Sequence, residues 1–226
     1  MKKALVIGAQ GTIGAAIVDH LQGRYEVHAL SRNKTDFSEE GLKDAATALQ
    51  LKLDDPSPFE LIICTIGFLS KPGVSPEKKL ADLDAQSLME YFSVNAVIPA
   101  LCLKYFSPML KRDSKSCFAV LSAMVGSIQD NKLGGWYGYR SSKAALNMLI
   151  KTASIELKRT NKVSVVVAIH PGTTIGPLTQ PFSKNIDKSK YYEPQLSAER
   201  IVDVCESREI DDSGQLFNWD GKRLNW

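Results

Sequence analysis

Residues 3–14 read Lys3-Ala4-Leu5-Val6-Ile7-Gly8-Ala9-Gln10-Gly11-Thr12-Ile13-Gly14, and this stretch decides the fold. A continuous apolar run that stops at a glycine is how a strand buried on both faces reads. From Thr12 the period changes: Ile13, Ile17 and Leu21 share one helical face, closed by Gly23. Strand, glycine turn and helix in that order make the first half of a βαβ unit. The glycines allow a tight bend and close approach of the backbone to a pyrophosphate, while the helix start supplies N–H donors and positive potential. The turn therefore predicts a dinucleotide site built from Gly8, Gln10, Gly11, Thr12, Ile13 and Gly14.

The alternation continues outward. Residues 25–30 predict a second strand, and Ser38 predicts a helix cap, with Glu39 and Glu40 in the first turn and Leu42, Ala45, Ala46 and Leu49 facing inward. Strands are predicted over 59–66, 117–121, 163–169 and 216–219. Helices are predicted over 85–110, kinked at Pro99, and over 139–157 and 197–205. Strands alternating with helices give a doubly wound parallel sheet, an α/β fold of Rossmann type. A length of 226 residues, with no repeat and no Pro-, Gly- or Ser-rich linker, fits a single domain over 1–226. A substrate lid is expected at about 173–195, where regular patterning dissolves.

Composition narrows the class. The net charge of +3 is dispersed, with no basic run beyond pairs such as Lys78-Lys79 and Lys111-Arg112, which argues against a nucleic-acid partner. No apolar run approaches the ~20 residues of a membrane helix. Four separated cysteines (Cys64, Cys102, Cys117, Cys205) read as reduced thiols of a cytoplasmic protein. The three histidines lack metal-ligand spacing, so no metal is expected.

Two further features carry chemistry. Where an NAD enzyme places an acid after the second strand, this chain has Ser31-Arg32, and a guanidinium there suits a 2′-phosphate, so the expected cofactor is NADP (NADPH). Tyr139 and Lys143 stand four apart, on one face of one helix. An adjacent ammonium favours the phenolate and lowers the tyrosine pKa. A phenol so tuned can pass a proton to a carbonyl oxygen, or take one from an alcohol, as hydride moves.

With these residues in view, the sequence resembles the short-chain dehydrogenase/reductase family over nearly its whole length. The glycine turn, Asn95, Tyr139-x-x-x-Lys143 and His170-Pro171-Gly172 occur in the family's order and approximate spacing. The segment from Gly134 to Asn147 is most similar to the group around small carbonyl reductases and the C-factor signalling protein. The resemblance implies Tyr139 as catalytic acid/base, Lys143 on the nicotinamide ribose, and Asn95 anchoring a relay water. It implies a small carbonyl or alcohol substrate and a homodimer or homotetramer. The competing implication is a dinucleotide-binding signalling protein with little turnover.

Departures from the family are specific. The second helix reads as deleted, with Asp36-Phe37-Ser38 as the acidic turn ending a third strand, which would put Asp36 and Phe37 on the adenine. Ile66-Gly67 stands after the next strand, and the threonine usual after Pro171-Gly172 falls on Gly176, leaving Thr173 or Thr174 to replace it. Aligning Leu121-Ser122-Ala123 with the family's Ile-Ser-Ser puts Ala123 at the catalytic serine position. Ser122 is the preferred substitute, Ser127 the alternative, and a site using neither serine the third possibility.

Overall fold

The computed structural model describes residues 1–177, 179 and 191–226. The elements run β1 (Lys2–Ile7), α1 (Thr12–Leu21), β2 (Tyr25–Leu30), α2 (Glu39–Lys52), β3 (Phe59–Cys64), α3 (Ala85–Phe92), α4 (Ile98–Phe106), β4 (Ser116–Leu121), α5 (Tyr137–Thr160) and β5 (Ser164–His170). Then follow β6 (Thr173–Thr174), β7 (Tyr191–Tyr192), α6 (Pro194–Ser207), β8 (Leu216–Asn218) and β9 (Arg223–Leu224).

Seven strands form one sheet in the order β2-β1-β3-β4-β5-β8-β9, parallel except for the last pair. The expected doubly wound parallel sheet is what forms. Its inner strands read as apolar runs because helices cover both faces: every residue of β4 is buried. Leu42 of α2, Phe106 of α4 and Leu146 and Ile150 of α5 pack on one face. Ile17 and Leu21 of α1 and Ile201 and Val202 of α6 pack on the other. The chain steps from β1 out to β2 and then back across β1 to β3. That reversal opens a crevice at the carboxyl ends of β1 and β3, where such folds bind their ligands.

Three local expectations are corrected. No strand ends at Asp36-Phe37: after β2, which is the sheet edge, the chain turns directly into the 14 residues of α2, on the face opposite α1, so the helix and strand that would extend the sheet beyond β2 are both absent among the described residues. The cause is Ser38, whose hydroxyl caps α2 by accepting the Gly41 N–H while the Asp36 carboxylate accepts the Ser38 N–H and O–H. The helix expected over 85–110 is interrupted by a π-helical turn, Ser93–Val97, and Pro99 stands at the start of α4 rather than mid-helix. The proline's missing N–H is harmless there, and the turn absorbs the break in the ladder. Finally, β9 pairs antiparallel with β8, an edge strand the pattern did not reveal. Most of the segment expected to be a lid lies outside the described residues; its two ends are joined where β6 pairs with β7.

Candidate active site

The glycine turn floors the crevice. Gly8 has φ +89°, and a Cβ there would lie 2.6 Å from Thr65 Oγ1; a Cβ on Gly14 would run into the Gly8 carbonyl oxygen. Only glycine fits either place. Thr65, at the end of β3, ties the turn to the sheet by sharing its hydroxyl hydrogen between the carbonyls of Ile7 and Gly8. Gly11 is the N-cap of α1, in extended conformation, with neither a side-chain cap nor an acidic residue in the first turn. The helix thus points unshielded N–H groups and the positive end of its dipole at a cavity of about 400 Å3. Gly11, Thr12, Ile13 and Gly14 line that cavity, whereas Gln10 stands exposed beside the turn.

The tyrosine and lysine expected to be catalytic come from α5. Tyr139 lines the cavity, its ring held edge-on by Tyr91 and Trp136 with centroids 6.3 and 6.2 Å away. Its hydroxyl has no hydrogen-bond partner among the described residues. Burial pushes the phenol up to about 12. This corrects the expectation that Lys143 lowers it. The lysine ammonium is directed instead at the Leu121 carbonyl, 3.0 Å away, and burial brings Lys143 itself down to about 8 against a smaller opposing pull from Cys64.

Asn95 lies in the π-helical turn, fully buried. Its Oδ1 accepts the Phe68 N–H at 2.8 Å, and its Nδ2 donates to Phe68 O at 3.0 Å and to Ser142 Oγ at 3.2 Å. Ser142 donates in turn to the Tyr139 carbonyl. Asn95 therefore links the loop after β3 to the backbone of the tyrosine. Gly67 makes room for this: a Cβ there would stand 3.0 Å from Lys143 Nζ and 3.2 Å from Asn95 Oδ1. Ile66, beside it, is core, 6% exposed.

Ser122 and Ser127 separate cleanly. Ser122 lines the cavity and donates its hydroxyl to Asn147 Oδ1 at 2.6 Å. Ser127 faces a neighbouring hollow, and its Oγ accepts the Asp130 N–H. Ala123 packs with Tyr139, Tyr91 and Leu69, so the position aligned with the family serine is a methyl group in the same cluster as Tyr139. Asn147, buried one helical turn beyond Lys143, was missed by the sequence reading. Its i+4 spacing from the lysine was the available signal.

Pro171, Gly172, Thr173 and Thr174 line the cavity on the β5 side, and Thr174 is paired through its hydroxyl with Ser197. Gly176 folds back on α1, its Cβ position 3.0 Å from Thr12 Oγ1. His170 also lines the cavity, with burial pushing its imidazole down to about 4, hence neutral at pH 7. The Arg200 guanidinium lies 4.4 Å from the Tyr192 ring and 4.0 Å from Trp219, and both rings close over Gly172. At the other end, Ser31 is buried and donates to Asn33, Arg32 is exposed, Asp36 is occupied with Ser38, and the Phe37 ring packs on the core beside α2.

A glycine turn at the switch point of a doubly wound sheet, with a tyrosine–lysine pair across the same crevice, is the arrangement of a dehydrogenase. The sequence profile described as short chain dehydrogenase matches residues 2–187, and the chain belongs to that family of oxidoreductases. It is similar to 1-hydroxy-2-glutathionyl-2-methyl-3-butene dehydrogenase of Rhodococcus sp. strain AD45, 25% identical with 100% of both chains covered. It is similar to C-signal of Myxococcus xanthus, 28% identical over 65% of this chain and 83% of that one. Among solved structures, the NADPH-bound carbonyl reductase from chicken fatty liver superposes with a TM-score of 0.82 at 22% identity, over 100% of this chain and 99% of that one.

Proposed function

We propose that the chain reduces a small carbonyl compound with NADPH and that Tyr139 gives the proton. The observation that carries this reading is the Tyr139 hydroxyl: it faces the cavity without a partner among the described residues and stays protonated well above neutral pH. A protonated phenol is an acid, the form needed for carbonyl reduction. Oxidation of an alcohol needs the phenolate, which burial disfavours here.

The site fits a dinucleotide on its own features. Gly8 and Gly14 leave space that a Cβ would fill, and the uncapped start of α1 suits a pyrophosphate. Lys143 is 4% exposed with one bonded acceptor among the described residues, the Leu121 carbonyl, which leaves its other N–H groups for ribose hydroxyls. Pro171 to Thr174 would flank the nicotinamide, and Ser31, Arg32, Asp36 and Phe37 the adenosine end. NADPH when bound supplies the hydride to the carbonyl carbon. This chain's own part is to exclude water, align the carbonyl oxygen with Tyr139 and hold the phenol proton ready. Titrating NADPH with the protein and following its absorbance over a panel of ketones and aldehydes tests the reading. Tight binding without turnover on any of them would favour the signalling alternative.

Arg32 carries the cofactor preference. NADPH is expected to bind roughly tenfold to hundredfold more tightly than NADH, as phosphate contacts to a guanidinium do elsewhere. Arg32→Ala should remove most of that difference in a fluorescence titration. Equal affinities in the unmodified protein would rule the assignment out.

We propose that Ser122 orients the substrate oxygen, its one hydroxyl hydrogen turning from Asn147 Oδ1 to that oxygen when substrate binds. Ser122→Ala is expected to lower kcat by about 10²-fold or more, as loss of an oxyanion donor does, and Ser127→Ala far less. The reverse ranking would move the role to Ser127. Two mild effects would leave Tyr139 working without a serine.

A further inference from the structure

Glu77, in the loop between β3 and α3, is 4% exposed, yet its Oε1 has no hydrogen-bond partner among the described residues. Its other two acceptors are engaged at one place, the start of α5. Oε2 accepts the Gly138 N–H at 3.1 Å and the Glu77 carbonyl accepts the Trp136 N–H at 2.5 Å. That helix start is unusual. Its N-cap is Trp136 at φ 53°, ψ 41°, with no side-chain cap, preceded by Gly134 and Gly135 at φ +65° and +64°. Three successive left-handed residues thus feed the helix that carries Tyr139 and Lys143. Glycines adopt that conformation freely, but a tryptophan is strained in it and stays there only when its surroundings over-determine it. Gly138 is shaped around the same contact: a Cβ on it would stand 2.8 Å from Glu77 Oε1 and collide with the Tyr91 ring.

We propose that Glu77 is the positioning residue of the active site, an N-cap supplied from outside the helix. It pins Trp136, a wall of the cavity, and the first turn of α5, and so fixes where the Tyr139 hydroxyl points. The positive end of the helix dipole favours a carboxylate there. The inference rests on Tyr139 being the proton donor, but its structural part is readable without turnover.

The test compares Glu77→Ala with Glu77→Gln, which keeps an acceptor. Glu77→Ala is expected to lower kcat at least tenfold with the dissociation constant for NADPH within twofold, and Glu77→Gln to return kcat to within threefold of the unmodified protein. Amide exchange over residues 136–139 should accelerate in the alanine variant and not in the glutamine one. Asn161→Ala, which removes a bond to the Lys111 carbonyl at the far end of α5, serves as a destabilised control that keeps its kcat. A kcat within twofold of normal in Glu77→Ala, or equal losses in the alanine and glutamine variants, would overturn the proposal. If the alanine variant does not fold, Glu77→Asp, one methylene too short, must show the same kcat loss. If the unmodified protein reduces no carbonyl, the reaction assigned above fails, and the exchange comparison alone decides Glu77: unchanged exchange in Glu77→Ala sinks it.

Discussion

Tyr139→Phe is expected to lower kcat for carbonyl reduction by about 10³-fold, within the range a positioned general acid contributes, and to leave everything else nearly as it was. The ring is gripped by Tyr91, Trp136, Leu69 and Ala123, contacts that phenylalanine keeps. The hydroxyl bonds to no described residue, so deleting it orphans no buried partner. Thermal midpoint should therefore change by no more than a degree or two, and NADPH affinity by less than threefold. A variant that keeps activity within fivefold of normal would remove Tyr139 from the mechanism. So would one that unfolds, because the packing argument would then be wrong.

The parts of the site that were legible in the sequence are those whose geometry is local. The glycine turn declares itself because strand, turn and helix are contiguous; of its residues Gly11, Thr12, Ile13 and Gly14 line the cavity, and Gly8 and Gln10 do not. Tyr139 and Lys143 were placed together by helical spacing alone. Ser38 reads as a cap and is one, whereas the strand end that the resemblance implied at Asp36-Phe37 does not form. The cap decides the structure because its hydrogen bonds close within three residues. What sequence could not carry is contact across long separations. Asn95 reaches Phe68, and Glu77 reaches Gly138 from 61 residues away. No periodicity encodes such pairs. The direction of the Tyr139 pKa failed for a related reason: spacing put an ammonium near the phenol, but only the end of β4 reveals the Leu121 carbonyl that claims it. Ser122 was preferred from its place after β4, but its bond to Asn147, 25 residues on, is another such contact that no local pattern carries.

Lys143→Met is expected to give a protein that is more stable and at least 10²-fold less active. A lysine 4% exposed and lowered by burial to about 8 still carries its charge at pH 7, in a site that disfavours it. The gap between about 8 and an ordinary lysine corresponds to on the order of 3 kcal/mol of stability withheld from the fold. The sign is set by proton uptake: the unfolded chain holds the lysine proton more tightly than the folded one, so this penalty is complete below about pH 8 and fades as pH rises toward that of a free lysine. Methionine, of similar length and without charge, escapes it and keeps most of the packing beside Gly67. The stability advantage of Lys143→Met over the unmodified protein should thus be largest at pH 7 and shrink toward pH 10, as chemical denaturation at several pH values would measure. In activity the same titration appears with the opposite consequence. For the unmodified protein kcat/KM should hold from pH 6 to 7.5 and fall above about 8 as the ammonium is lost, long before Tyr139 ionises. Lys143→Arg, charged throughout that range, should lack this limb whatever its absolute rate. A Lys143→Met variant less stable than the original at pH 7 would show that the ammonium is held by more than the Leu121 carbonyl. An alkaline limb persisting in Lys143→Arg would assign it to a different group.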